Sequence, residues 1–268
     1  MTLSSLEAVR EHELPVERQV SSSIAAPLFA AIQFLTVLPP LVRRTFTPLE
    51  LGWSLVFFPI AGGLVGGILF GVDHATGAVF PPNVCAALVL VAWVIVTGGL
   101  HVDGFLDSCD GLFGGHTPEH RLRIMRDERV GAYAVAGGIL LILVKFNALS
   151  ALANREPGML LAPVLGRWAI VLAVIGFPYG RAQGLGRDIK DHAGWLQGLL
   201  ATLVVVPATL WANGWVGLAA LGIVGASVFI GGCFVLRRLP GLTGDIYGCF
   251  CELAEVGVLL TLVAGEQL

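Results

Sequence analysis

Three aspartates stand out as residues that could do chemistry. Asp103, Asp107 and Asp110 lie in the run Gly98-Gly99-Leu100-His101-Val102-Asp103-Gly104-Phe105-Leu106-Asp107-Ser108-Cys109-Asp110-Gly111. Spaced i, i+4 and i+7, they fall within about 60° of one helical face. Like charges so close repel one another, and a cation between them removes the repulsion. An all-oxygen set without a thiolate or imidazole cluster suits Mg²⁺ or a similar hard ion. The alternative is a solvated acidic face on a loop helix. The adjoining apolar span, where ionisable groups are expensive, weighs toward function. His101 falls near the opposite face of such a helix and serves either catalysis or a structural hydrogen bond. Cys109 also lies off the carboxylate face and reads as packing.

Arg121-Leu122-Arg123-Ile124-Met125-Arg126-Asp127-Glu128-Arg129 follows. A guanidinium offers a two-pronged fork to phosphate oxygens. Arg121 and Arg123 read as headgroup anchors, whereas Arg126, Asp127 and Arg129 are site candidates. Arg181, Arg187, Asp188 and Lys190 form a second cluster, equally readable as a topology signal. Lys145 lies about 18 residues, or about 27 Å, along a helix starting near Asp127. It snorkels to the far face or pairs with a buried carboxylate. Arg167, in another apolar run, needs a partner or a water-filled cavity. Near the C-terminus, the turn holding Gly244 and Asp245 opens a helix whose backbone N–H groups favour an anion. Asp245 suits a helix N-cap or a metal ligand. Glu252 and Glu255 fall in the first turns of the last span, facing the interior.

The elements that must position these groups are membrane helices. Of 268 residues, 56% are hydrophobic and only 13% charged, with a mean hydropathy of +0.82. That is too little polar surface for a soluble globule, which carries about 25% charged residues. The net charge of −3 argues against nucleic acid as a partner. Five cysteines without a CxxC pair suggest neither a disulfide framework nor a zinc site. Residues 1–23 read as a polar cytoplasmic tail, and 24–268 as one integral membrane catalytic domain. The apolar stretch 24–38 is shorter than the roughly 20 residues a span needs and reads as an interfacial or re-entrant helix. Seven longer stretches follow, at about 51–72, 84–100, 131–153, 159–176, 195–212, 214–236 and 248–264. The predicted fold is therefore an all-α polytopic bundle in a lipid bilayer; a homo-oligomer is compatible with it.

Charge sets its sidedness. Eleven of the 16 basic residues fall in alternate loops, with only Arg155 in the intervening ones. The excess of Lys and Arg in cytoplasmic loops places the basic loops, and every candidate cluster in them, on the cytoplasmic side. Carboxylates for a metal and arginines for phosphates, gathered at one membrane face, point to phosphoryl transfer on an amphiphilic or bulky substrate.

The chain resembles a known family. The residues that carry the likeness are His101-x-Asp103-Gly104-x-x-Asp107-x-x-Asp110-Gly111, Ile124-Met125-Arg126-Asp127-x-Arg129-x-Gly131, Lys145-Phe146, and Thr243-Gly244-Asp245 with Gly248, Glu252 and Glu255. Together, from about Phe34 to the C-terminus, they are similar to the cobalamin synthase family, the adenosylcobinamide-GDP ribazoletransferases. The resemblance implies a bacterial inner-membrane enzyme that joins adenosylcobinamide-GDP to α-ribazole, or its 5′-phosphate, and releases GMP with Mg²⁺ required. Asp103, Asp107 and Asp110, with Asp245, would then hold Mg²⁺. Arg126 and Arg129, with Arg181, Lys145 and Gly244, would bind substrate, and Asp127 or His101 would orient or deprotonate the attacking group. A CDP-alcohol phosphotransferase shares Asp107-x-x-Asp110-Gly111, but Gly114-Gly115 stands where that family has Ala-Arg. A transporter would place its ionisable residues near the bilayer midplane, where only Lys145 and Arg167 lie.

Overall fold

The computed structural model describes residues 25–267, so the tail predicted over 1–23 lies outside the described residues. Helix α1 (Ala25–Leu35) is the short apolar helix expected near the N-terminus. Thr47 opens α2 (Pro48–Ser54) with a capping box to Glu50, and Pro48 sits in the first turn, where a missing N–H costs nothing. A 3₁₀ turn joins α2 to α3 (Phe58–Gly77), giving one apolar unit of 30 residues.

Helix α4 (Pro82–Val96) ends four residues before the end of the predicted span at 100. The reason is local: Gly98 and Gly99 take φ of 61° and 69°, a left-handed conformation that other residues resist. The chain turns by 90° there into α5 (Leu100–Cys109). A π-helical turn over Asp110–Gly114 and the short α6 (Pro118–Ile124) follow. Helix α7 (Ala132–Ala151) packs on α5 and α11, and α8 (Glu156–Gly176) runs through the middle of the bundle. Helices α3, α10 (Trp195–Leu236) and α11 (Gly244–Gly265) surround α8, while α9 (Leu185–Asp191) lies beyond its end.

Among the described residues, five helical units are long and apolar enough to cross a bilayer, or six with the bent α4–α5 pair taken as one. The 42-residue α10 is itself two helices, broken at Asn213 and Gly214, where Gly214 has φ 50°. Both arms meet Trp168 of α8. Its Nε1 donates to Thr202 Oγ1 at 3.0 Å, and a Cβ on Gly225 would lie 3.9 Å from its ring. Gly217 of the second arm touches the Thr209 carbonyl of the first, so the helix folds back on itself. Counted separately, the arms restore the seven predicted spans.

The two ends of the bundle are distinct. At one end the chain before α9 pairs with the chain before α11: Gly180 N–H donates to Leu242 O at 2.7 Å, and Leu242 N–H to Pro178 O at 2.8 Å. At the other, Arg155 meets Asp73 at 2.8 Å and Glu266 accepts from Ala153 N–H at 3.0 Å. Trp195, on the first end, and Trp211 and Trp215, at the hairpin bend, are exposed by 74%, 84% and 83%.

Candidate active site

Two glycines build the site. Helices α5 and α11 cross with their backbones in contact, because a Cβ on Gly104 would lie 2.9 Å from Asp245 O and one on Gly248 3.2 Å from His101 O. A side chain at Gly104 would force the backbones apart, and one at Gly248 would crowd them. It brings the first acidic motif against the last, so Asp103, Asp245 and Asp110 all repel the charge of Asp107. Among the described residues, the carboxylates of Asp103 and Asp107 accept no hydrogen bond and form no ion pair.

The other two aspartates are engaged. Asp110 accepts from Gly131 N–H at 2.6 Å and Ala134 N–H at 2.9 Å, satisfying the first turn of α7. Asp245 accepts from Arg181 Nη2 at 2.6 Å and from Thr243 Oγ1 at 3.2 Å. Thr243, not Asp245, caps α11, accepting from Ile246 N–H. No three His, Cys, Asp or Glu side chains among the described residues stand close enough to enclose an ion by themselves.

Beside this crossing opens a cavity of about 400 Å³. Its polar wall carries His101, Asp103, Arg126, Arg181 and Asp245, with Gly244 at the start of α11. Phe34, Phe58, Ile170 and Val174 form an apolar wall. Tyr179 and Tyr247, with ring centroids 6.0 Å apart, complete it. Three lining residues carry a buried polar atom without a partner: His101 Nε2, Arg181 Nε and Tyr247 Oη. Buried polar groups are nearly always paired, and these three atoms have bonding capacity that the described protein groups leave unused.

Arg126 also lines an open depression of about 550 Å³ shared with Arg123, Asp127, Glu128 and Arg129. There Asp127 accepts from Arg129 Nε at 2.9 Å and Nη2 at 2.8 Å. Those bonds, with one from the Arg129 backbone, hold its carboxyl down to about 2, which makes Asp127 a weak base. In the second basic cluster, Arg181 reaches the cavity while Lys190 donates to Val174 O at 2.6 Å at the end of α8 and Arg187 pairs with Asp191.

Lys145 lies outside the cavity lining. Its Nζ is 2.5 Å from both Glu252 Oε2 and Glu255 Oε2, and 4.6 Å from the Trp93 ring centre. Glu255 also binds Arg167, whose Nη2 stands 3.3 Å from His101 Nδ1. The structure thus joins His101, Asp103, Arg126, Arg181, Gly244 and Asp245 in one cavity. Asp107 stands beside them, Asp127 and Arg129 lie in the adjoining depression, and Lys145 and Asp110 are committed elsewhere. Phe34, Phe58 and Tyr179 were not legible as site residues: nothing separates them in sequence from ordinary apolar packing.

Comparison with known proteins identifies the family. The cobalamin-5-phosphate synthase model matches residues 27–263. An adenosylcobinamide-GDP ribazoletransferase of Desulforamulus reducens is 39% identical over 241 residues, covering 89% of this chain and 96% of that protein. Enzymes of the same name from Pseudomonas syringae and a Roseiflexus species are 41% and 38% identical, each covering 88% of this chain, and 98% and 89% of their own lengths. No solved structure matches. With nearly the whole chain spanned by the family model, and the motifs on α5 and α11 converging on one cavity, the protein is a member of the cobalamin-5-phosphate synthase family.

Proposed function

We propose that this protein is an adenosylcobinamide-GDP ribazoletransferase. A ribose hydroxyl of α-ribazole, or of its 5′-phosphate, attacks the cobinamide-linked phosphorus of adenosylcobinamide-GDP; the bond from that phosphorus to the GMP oxygen breaks, GMP leaves, and the hydroxyl proton passes to solvent. The observation that carries this reading is one cavity holding the unpartnered carboxylate of Asp103, with Asp107 beside it, together with Arg126 and Arg181. A cavity of about 400 Å³ suits a drug-sized group, so only the nucleotide-bearing arm of a corrinoid enters. The apolar wall and the two tyrosines suit the flat aromatic base of α-ribazole.

Asp103 and Asp107 are the residues to hold Mg²⁺, with Asp110 and Asp245 close by. Two free carboxylates fit the way this ion binds, through one or two protein carboxylates plus substrate phosphates rather than a closed protein cage. Bound there, the ion supplies positive charge to the pyrophosphate. Arg126 bridges the cavity and the depression with Arg129, where guanidinium groups neutralise charge on the departing GMP. Backbone N–H groups at Gly244, opening α11, face an anion favourably. The basic residues at this end support a cytoplasmic orientation in the bacterial inner membrane.

The test supplies purified protein with adenosylcobinamide-GDP and α-ribazole, with and without Mg²⁺. GMP release that needs both substrates and the ion is expected. No release with both substrates and Mg²⁺ present would overturn the reading.

A further inference from the structure

The buried charge network ends on a cavity residue, and its chemistry dictates what that residue presents. Arg167 has no exposed surface and His101 is 3% exposed. Arg167 is fixed from behind by Glu255, which Lys145 holds in turn, and Lys145 is also tied to Glu252. This chain runs from α7 through α11 and α8 to α5. Its last link is Arg167 Nη2 against His101 Nδ1 at 3.3 Å. A guanidinium has only donors, so Nδ1 must be the acceptor. The ring hydrogen then sits on Nε2, the atom that is buried, unpartnered and part of a cavity-lining residue.

We propose that Arg167 is a positioning residue that fixes His101 in the Nε2–H tautomer, so that His101 donates a hydrogen bond to an oxygen of the transferring phosphoryl group. The proposal rests on the transfer reading above. A base at this place needs a lone pair on Nε2, which this tautomer lacks, so His101 does not deprotonate the attacking hydroxyl. A fixed donor held toward developing negative charge lowers the barrier without reorganising during the reaction. The network also suits this role better than a purely structural one. Well-packed apolar residues commonly replace a buried ion pair with no loss of stability, whereas only a donor beside Nδ1 selects the tautomer.

His101→Gln and His101→Asn divide the imidazole between them. Glutamine places an amide N–H near the former Nε2 and cannot act as a base. Asparagine reaches only the Nδ1 position, keeping an acceptor for Arg167 and presenting nothing to the cavity. With both variants extracted from membranes at normal levels, GMP release should fall by about tenfold or less in His101→Gln and by about a hundredfold or more in His101→Asn. Equal and severe losses in the two would overturn the donor role. Arg167→Lys then tests the positioning. In the His101 protein it should lower kcat by about tenfold with KM nearly unchanged, and in the His101→Gln background by no more than about twofold, because glutamine has no tautomer to select. Losses that multiply independently would overturn the role of Arg167. The histidine pair decides the donor role even if Arg167→Lys does not accumulate. Absence of GMP release from the unaltered protein defeats the transfer reading itself, and is thereby told apart from failure of this proposal.

Discussion

The middle of the bundle and its basic end both hold charges beside a membrane interior, and they treat them in opposite ways. In the middle, Lys145 and Arg167 face Glu252 and Glu255, two cations for two anions. At the basic end, among the described residues, the carboxylates of Asp103 and Asp107 have no partner, and His101, Arg181 and Tyr247 keep a buried polar atom unbonded. Ionisable groups in a membrane are costly, so a closed set and an open one mean different things. The closed set balances its own charges inside the protein, and the open set leaves bonding capacity unused.

Breaking the closed set should have the largest effect. Glu255→Ala leaves Lys145 and Arg167 sharing Glu252 alone. Removing one partner of a buried pair costs about 3–5 kcal/mol, so thermal unfolding in detergent should show a large drop in Tm and membrane accumulation should fall. Breaking the open set should do the reverse. Asp107→Asn removes a charge that its neighbours repel, so the protein should stay as stable as before while transfer falls by about a hundredfold or more. A marked loss of stability in Asp107→Asn, or retained activity, would erase the contrast between the regions.

Two smaller effects sharpen it. Arg126→Lys keeps the charge and loses the planar fork, and should lower kcat/KM by about tenfold with an unchanged Tm. The Asp127–Arg129 pair is exposed, so Asp127→Asn should leave Tm almost unmoved. Because the folded Asp127 carboxyl is held below its usual value, at about 2, its contribution is constant from about pH 4 upward and fades only as pH falls through about 2. A stability profile of Asp127→Asn that departs from the parent above pH 4 would contradict this.

Charge was the most legible property of the sequence. With only 13% charged residues, the side of each loop and the acidic and basic motifs could be read directly. Gly104 and Gly248 were visible within the motifs, but not that they bring α5 and α11 together, since residues so distant in sequence carry no local sign of contact. The break after Val96 was hidden because an apolar run does not report φ at Gly98 and Gly99. Asp110 was legible as one of three carboxylates on a helical face, but spacing could not show that α7 begins against it, with Gly131 and Ala134 N–H donating to its oxygens. Lys145 and Arg167 were recognisable as groups needing partners; that Glu255 serves both, and that the chain ends at His101, required coordinates.

The hairpin of α10 carries its own depth gauge. Trp195 and Trp211 are separated by 16 residues of helix, about 24 Å, and both project outward at opposite ends of the same arm. Indole rings favour the boundary between hydrocarbon and headgroups, so this pair marks the two ends of the arm as the places suited to that boundary. Trp195 follows six residues after the cavity-lining Ile189, so the reaction chamber lies at the Trp195 end of this arm. A large corrinoid therefore needs to bring only its reactive arm to one end of the bundle, and the rest of it can stay outside the helices.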